Sequence, residues 1–435
     1  MQFNFFSILW SILILFALGR PSKFMGYLFL TSFIFQANCF MIIGTQAINI
    51  SLITGVALII HSIVLRPVIP KNRKFFLWVI FLFITIGISL YSSSHHVGIE
   101  IYDEFYANGV NQLVTKPYDG STGVYRFLIL AVYILAVIQL PRMLQKSNSD
   151  EFMLYLKRLI EFVLIIGAIQ YILIITKSPI TELFEMIFET DPACVGARVY
   201  FRIPRLFSTF TEPSYCATFL ASSFWACIVV DKRYGMTKLL PFILIEILLT
   251  FSTTAYIATL IGAIYYLVKI RSWSALRNIS VLVIVATIGI LATGKVDYII
   301  GVVADKFTTN SGLTRAAWNQ MALQNFLETN GIGMGYRTIR ASSLLFNLLG
   351  QIGVIGFVMF FVCIWFTMKD NVVNFWKNDG SKFAVIFIVI TIISEIISCP
   401  DIDNCILWLA IAMNIVLGNY SAHIKEYDNI NYIGG

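Results

Sequence analysis

Within the stretch Arg205-Leu-Phe-Ser208-Thr-Phe-Thr-Glu212-Pro213-Ser214-Tyr215 lie a cation, several hydroxyls and a carboxylate. A guanidinium binds phosphate oxygens through a two-pronged fork, which a lysine cannot do. A carboxylate beside it can accept the proton of an attacking hydroxyl as a general base. Pro213 suits the first turn of a helix, and the dipole of that helix would keep Glu212 ionised. Glu212 could equally cap the helix or pair with Arg205. Ser208 and Tyr215 are candidates for contacting an acceptor hydroxyl.

A second stretch carries Arg315 and Trp318, then Asn330-Gly-Ile-Gly333-Met-Gly335-Tyr336-Arg337-Thr-Ile-Arg340. Glycines at alternate positions allow a tight turn whose exposed N–H groups could hold an anion. Gly333 and Gly335 with Arg337 and Arg340 therefore read as an anion-binding unit, or as a plain turn between two surface helices. Arg198 and Arg202 precede the first stretch and extend its positive charge. Asn347 and the intramembrane Glu395, near Asp401 and Asp403, are supporting polar candidates. Glu246 reads as a structural hydrogen-bond partner, and the adjacent His95 and His96 as exposed residues outside any ligand set. Cys399 and Cys405 flank a short turn and could form a disulfide. The scattered cysteines and four histidines make no metal-ligand pattern, and nothing implies a cofactor.

What positions these residues is a membrane. Of the 435 residues, 58% are hydrophobic and only 13% charged. A soluble domain carries about 25% charged residues, so this chain cannot clothe a soluble surface. Soluble enzymes, disordered chains, disulfide-knit secreted folds and nucleic-acid binders are excluded on that ground. A bilayer core needs roughly 20 apolar residues per helix. Candidate runs occur at 2–18, 25–44, 49–65, 75–93, 127–141, 159–176, 214–230, 239–251, 254–268, 279–294, 344–367, 383–399 and 405–418. The expectation is a single integral domain over 1–435, all-α, with about thirteen transmembrane helices (12–14). The first run lacks a basic flank and a cleavage site, so it reads as a retained span.

Orientation follows lysine and arginine. The mostly short connections on one side hold 20 basic residues, against 11 on the other. The first side is assigned to the cytoplasm. Loops 93–126, 177–213 and 295–343 then face outward and carry the arginines named above. Within them, 178–189 repeats apolar residues at helical spacing and reads as an amphipathic interfacial helix, with 313–328 a weaker example.

The residues Arg205, Ser208, Phe210 and Glu212-Pro213-Ser214, the turn Leu249-Thr250-Phe251-Ser252, Arg315 with Trp318, Gly331-Ile-Gly333-Met-Gly335, and Asn347 with Gly350-Gln-Ile-Gly353 resemble the O-antigen polymerase and ligase superfamily of bacterial envelope glycosyltransferases. The resemblance covers roughly 200–360 and the overall topology. It implies a GT-C-like enzyme of the inner membrane, with its active site facing the periplasm. Such an enzyme moves glycans carried on undecaprenyl pyrophosphate, without a metal or cofactor. A chain-length regulator is an implied partner beside membrane lipids and the lipid-linked donor and acceptor; nucleic acid is not. Ligases of the superfamily usually carry a His-Asn pair where this chain has Phe346-Asn347, and Glu212-Pro213-Ser214 is more similar to polymerases. Polymerase is therefore the expected activity. Transfer to lipid A-core by a ligase, or a flippase of lipid-linked oligosaccharides, are the alternatives. Arg205 and Arg315 are expected to grip the pyrophosphate, Arg337 or Arg340 to support them, and Glu212 to serve as base.

Overall fold

A computed structural model describes residues 2–43, 46–64, 73–107, 110–120, 123–191, 194, 199–200, 203–270, 310–398 and 401–433. Fourteen helices lie among them: α1 Phe5–Leu18, α2 Ser22–Ser32, α3 Ile50–Val64, α4 Arg73–Ser93, α5 Val124–Met143, α6 Ser149–Thr176, α7 Ile180–Phe188, α8 Pro213–Ile228, α9 Leu240–Leu249, α10 Thr253–Ile270, α11 Asn310–Glu328, α12 Leu344–Val373, α13 Asp379–Ile397 and α14 Cys405–Ile433.

The chain is mainly helical and of membrane-embedded type. Among the described residues, five segments are long and apolar enough to cross a bilayer: Phe76–Ser93, Val124–Met143, Ser149–Thr176, Leu344–Val373 and Asp379–Ile397. Shorter apolar helices at Phe5–Leu18, Ile50–Val64, Thr253–Ile264 and Cys405–Tyr420 pack among them. Leucine and isoleucine point outward along many of these helices, Ile84, Ile88, Ile165 and Ile172 among them, as helices facing lipid require.

Local signals set the ends. Asn148 caps α6 by accepting from the Glu151 N–H at 2.7 Å, with Asp150 and Glu151 in the first turn. Pro213 opens α8. The predicted amphipathic piece is α7, which buries Phe184 and exposes Ile180, Leu183 and Met186. The 239–251 and 254–268 runs form two separate helices, α9 and α10, with Phe251 at positive φ between them. The run 279–294 lies outside the described residues.

Two expectations change. The run 25–44 is not one helix: α2 stops at Ser32, and strand β2 (Cys39–Ile43) follows. Buried Gln36 and Asn38 lie between them. Ala37 N–H donates to Thr209 O at 2.8 Å and the Asn38 amide to Ile187 O at 2.7 Å, so distant backbone satisfies what a helix would otherwise supply. Strand β2 pairs antiparallel with β1 (Gln2–Phe3) and β3 (Gln46–Asn49). The loop 93–126 also holds more than a loop. Strands β4 (Glu100–Ala107) and β5 (Val110–Pro117) form an antiparallel hairpin pairing Glu100 with Pro117 and Ala107 with Val110. Asn108-Gly109 is the strong short-range signal for such a hairpin. A last short pair joins β6 (Val199–Tyr200) to β7 (Ile203–Pro204).

The core runs through the bundle where α8 packs on α13, α12 on α4, and α13 on α14. Aromatic residues fill it: Phe210 meets Phe219 at 5.4 Å, and Phe219 meets Phe387 at 6.0 Å. Close packing also demands small residues. A Cβ on Gly26 would lie 3.0 Å from Leu144 Cδ2, so α2 sits directly against the end of α5.

Candidate functional site

A cleft of about 470 Å³ opens at one end of the bundle. The start of α5, the start of α8, the loop before α14 and the glycine-rich turn after α11 converge on it. Arg126, Asp191, Glu212, Tyr215, Arg337, Asp401 and Asp403 supply its charged and phenolic groups, with Gln36 and Asn404 beside them.

Glu212 occupies the N-cap position of α8 with extended backbone, yet its carboxylate makes no capping bond. It accepts from Ser214 Oγ at 3.1 Å and remains exposed to the cleft. The helix therefore does not consume this carboxylate. Tyr215, one turn further on, is half-buried in the same wall.

Arg337 is the anchored cation. Its Nη1 donates to Asp401 Oδ1 at 2.7 Å, and its Nη2 to Asp403 Oδ1. Burial by itself would lower its pKa, but Asp401 and Asp403 reverse that and hold the guanidinium charged well above its usual range. Asp403 also accepts from Arg126 Nη1 at 3.4 Å. The Asp403 side chain is 1% exposed and that of Arg126 is 42% exposed, so one buried carboxylate bridges a fixed cation and a freer one. Two guanidinium groups thus face four carboxylates across the cleft, which makes its lining richer in acid than the arginine pattern implies.

The glycine-rich turn has a different role from the expected one. α12 breaks at Gly353, where φ is 67° and ψ is −174°. Met334 N–H donates to Gly350 O at 2.8 Å and Gly335 N–H to Gln351 O at 2.9 Å, while Val354 N–H returns to Gly331 O at 3.0 Å. Gly333 N–H goes to Thr329 Oγ1 at 3.0 Å. Both glycine N–H groups proposed for an anion are bonded inside the protein, Gly335 to the backbone of α12 and Gly333 to the Thr329 hydroxyl. The Arg337 N–H donates to Gln351 Oε1 at 3.0 Å, which ties the cation's position to the helix break.

The other candidates disperse. Arg205 donates through Nε to Thr250 O at 3.1 Å, at the turn joining α9 and α10, and does not line the cleft. Arg315 lies half-buried on α11, and Arg340 stacks over Trp318 at 4.5 Å. Neither lines the cleft. Ser208 is fully buried at positive φ and donates through Oγ to Val163 O at 2.7 Å, while its N–H meets Gln170 Oε1 at 2.7 Å. It fixes the chain before Glu212 and is not exposed to an acceptor. Buried Asn347 accepts from Ala341 N–H at 3.2 Å and from the Gln351 amide at 2.8 Å, bracing the same turn. Glu395 is buried in α13, with Asn404 beside its carboxylate. Arg198 and Arg202 lie outside the described residues, as does Cys399.

Sequence reasoning passed over Arg126. Its signal was present: a cation in the first turn of a helix opposes the dipole and calls for a carboxylate partner. Asp403 supplies it. Compared with models of known protein families and with curated proteins, the chain matches none.

Proposed function

We propose that the chain is a surface-polysaccharide polymerase of the bacterial inner membrane, a metal-independent, GT-C-like glycosyltransferase of about thirteen spans. It transfers a growing glycan from undecaprenyl pyrophosphate to the non-reducing end of a new lipid-linked repeat unit, on the periplasmic side. The observation that carries this reading is the cleft itself. An exposed carboxylate, Glu212, shares one polar cavity with Arg126 and Arg337 at the end of an apolar helical bundle.

In this reading the acceptor hydroxyl gives its proton to Glu212 as its oxygen bonds the anomeric carbon of the donor. The bond from that carbon to the diphosphate oxygen breaks, and the electron pair leaves with the diphosphate. Fixed cations stabilise charge that develops in this way. Arg337 is held in place by Asp401 and Asp403. Arg126, on the longer contact and with the more exposed side chain, turns to the diphosphate with the least loss. The surplus carboxylates suit the hydroxyl-rich sugars, which donate hydrogen bonds to them.

The test is reconstitution of the purified chain in liposomes with a lipid-linked repeat unit of the native host. A ladder of lipid-linked oligomers is expected. Transfer only when lipid A-core is supplied would make it a ligase. Movement of the lipid-linked unit between leaflets without a new glycosidic bond would make it a flippase.

A further inference from the structure

A second hollow, of about 650 Å³, lies at the far end of the same helices. The cleft is reached by Asn49, the last residue of β3 and the one just before α3, and by Arg126 in the first turn of α5. α3 and α5 each reach the hollow at the carboxyl end, through Val64 and Arg142. Sixteen residues separate Arg126 from Arg142, about 24 Å along a helix, so the two cavities sit at opposite faces of the apolar layer.

The hollow carries one sign of charge. Arg20, Arg142 and Lys146 line it, and among the described residues no aspartate or glutamate does. Three helix ends meet there, at Leu18, Val64 and Met143. Helix carboxyl ends attract cations, but each contributes only about half a negative charge. The amino end of α2, at Ser22, adds about half a positive charge, so Arg20 and Lys146 by themselves exceed what the three carboxyl ends offset, and the hollow remains positive. Ser22, His61 and Gln145 add neutral polar groups, and Leu18, Ile60 and Val64 give it an apolar side. Ile60 and Val64 belong to an α3 surface that is otherwise open.

We propose that this hollow binds the headgroup of an anionic phospholipid, its phosphodiester between Arg20 and Lys146 and an acyl chain along Ile60 and Val64. A basic recess between apolar helices at the membrane boundary is the form that such headgroup sites take. The apolar wall favours a lipid over free phosphate, which would leave that surface wet.

The experiment uses the full chain in a neutral detergent and follows its melting temperature against added dioleoyl phosphatidylglycerol. A saturable rise is expected, with none from dioleoyl phosphatidylcholine and none from inorganic phosphate. Arg20→Gln with Lys146→Gln should weaken the apparent affinity at least tenfold while leaving the melting temperature without lipid unchanged. Lys232→Gln with Lys238→Gln removes the same charge from exposed sites outside the hollow and should change nothing. Equal weakening in that control pair, an equal response to phosphatidylcholine, or a rise with phosphate alone would overturn the proposal. So would an undiminished response in the Arg20 and Lys146 pair. If that pair fails to fold, Arg20→Lys with Lys146→Arg, which keeps both charges, must retain the response in full.

Discussion

Asp401 Oδ1 lies 2.7 Å from Arg337 Nη1, so a carboxylate from the loop before α14 fastens the cation that follows the glycine-rich turn. With Asp403 on its other nitrogen, Arg337 works first as a tie between two loops. Removing one partner of a largely buried ion pair costs about 3–5 kcal/mol, because the remaining charges stay behind without compensation. Arg337→Ala should therefore lower the melting temperature markedly. Arg337→Lys should recover only part of the loss, since one ammonium does not reproduce the planar fork. Thermal unfolding in detergent measures both, and a near-wild-type melt for Arg337→Ala would remove the tie from the account.

Glu212 should show the reverse pattern. It makes no capping bond and accepts from the Ser214 hydroxyl, so an amide in its place keeps the shape. Glu212→Gln should leave the melt unchanged and reduce oligomer formation by roughly 100- to 10,000-fold, the usual contribution of a general base. Single-turnover assays separate this from a binding defect. Full activity in Glu212→Gln would dismiss it as the base.

The join between the glycine-rich turn and α12 predicts an order among glycines. A Cβ on Gly333 would lie 2.6 Å from Gly353 N and 2.7 Å from Gln351 O, backbone atoms that are themselves hydrogen-bonded or confined, and its φ is +88°. A Cβ on Gly331, also at positive φ, would meet only the Phe326 ring at 3.5 Å. Backbone strain alone costs about 1–3 kcal/mol. Gly333→Ala should therefore destabilise more than Gly331→Ala by melting temperature, and equal melts would mean the join is looser than described.

These particulars show what could be read from the sequence. Helices such as α5, α6 and α13 announce themselves through unbroken apolar runs, because a bilayer enforces their length. Glu212 and Arg337, singled out by residue type and spacing, line the same cleft. The bridging role of Asp403, two residues from Asp401 but 66 from Arg337 and 277 from Arg126, has no local signature. The same holds for Cys39–Ile43, where hydrophobicity alone suits helix and strand alike, and pairing with β1 and β3 decides. The glycines were readable as a turn. That a broken helix would take the Met334 and Gly335 N–H groups depended on Gly353, which in sequence looks like any small residue of a packed span.

The arginines offer the sharpest division. Sequence spacing points to Arg205 and Arg315, whereas the cleft contains Arg126 and Arg337. Arg126 is the cleaner probe, since its ion pair among the described residues is the long 3.4 Å one to Asp403 and its side chain is 42% exposed. Losing one preorganised donor to developing charge costs about 100- to 1,000-fold in turnover. Arg126→Gln should show that loss in the oligomer assay with little change in melting temperature, and Arg126→Lys should restore only a fraction of it. Arg315→Gln, on a helix that does not line the cleft, should stay within a few-fold of wild type. Full activity in Arg126→Gln together with inactivity in a well-folded Arg315→Gln would move the diphosphate out of this cleft and towards α11.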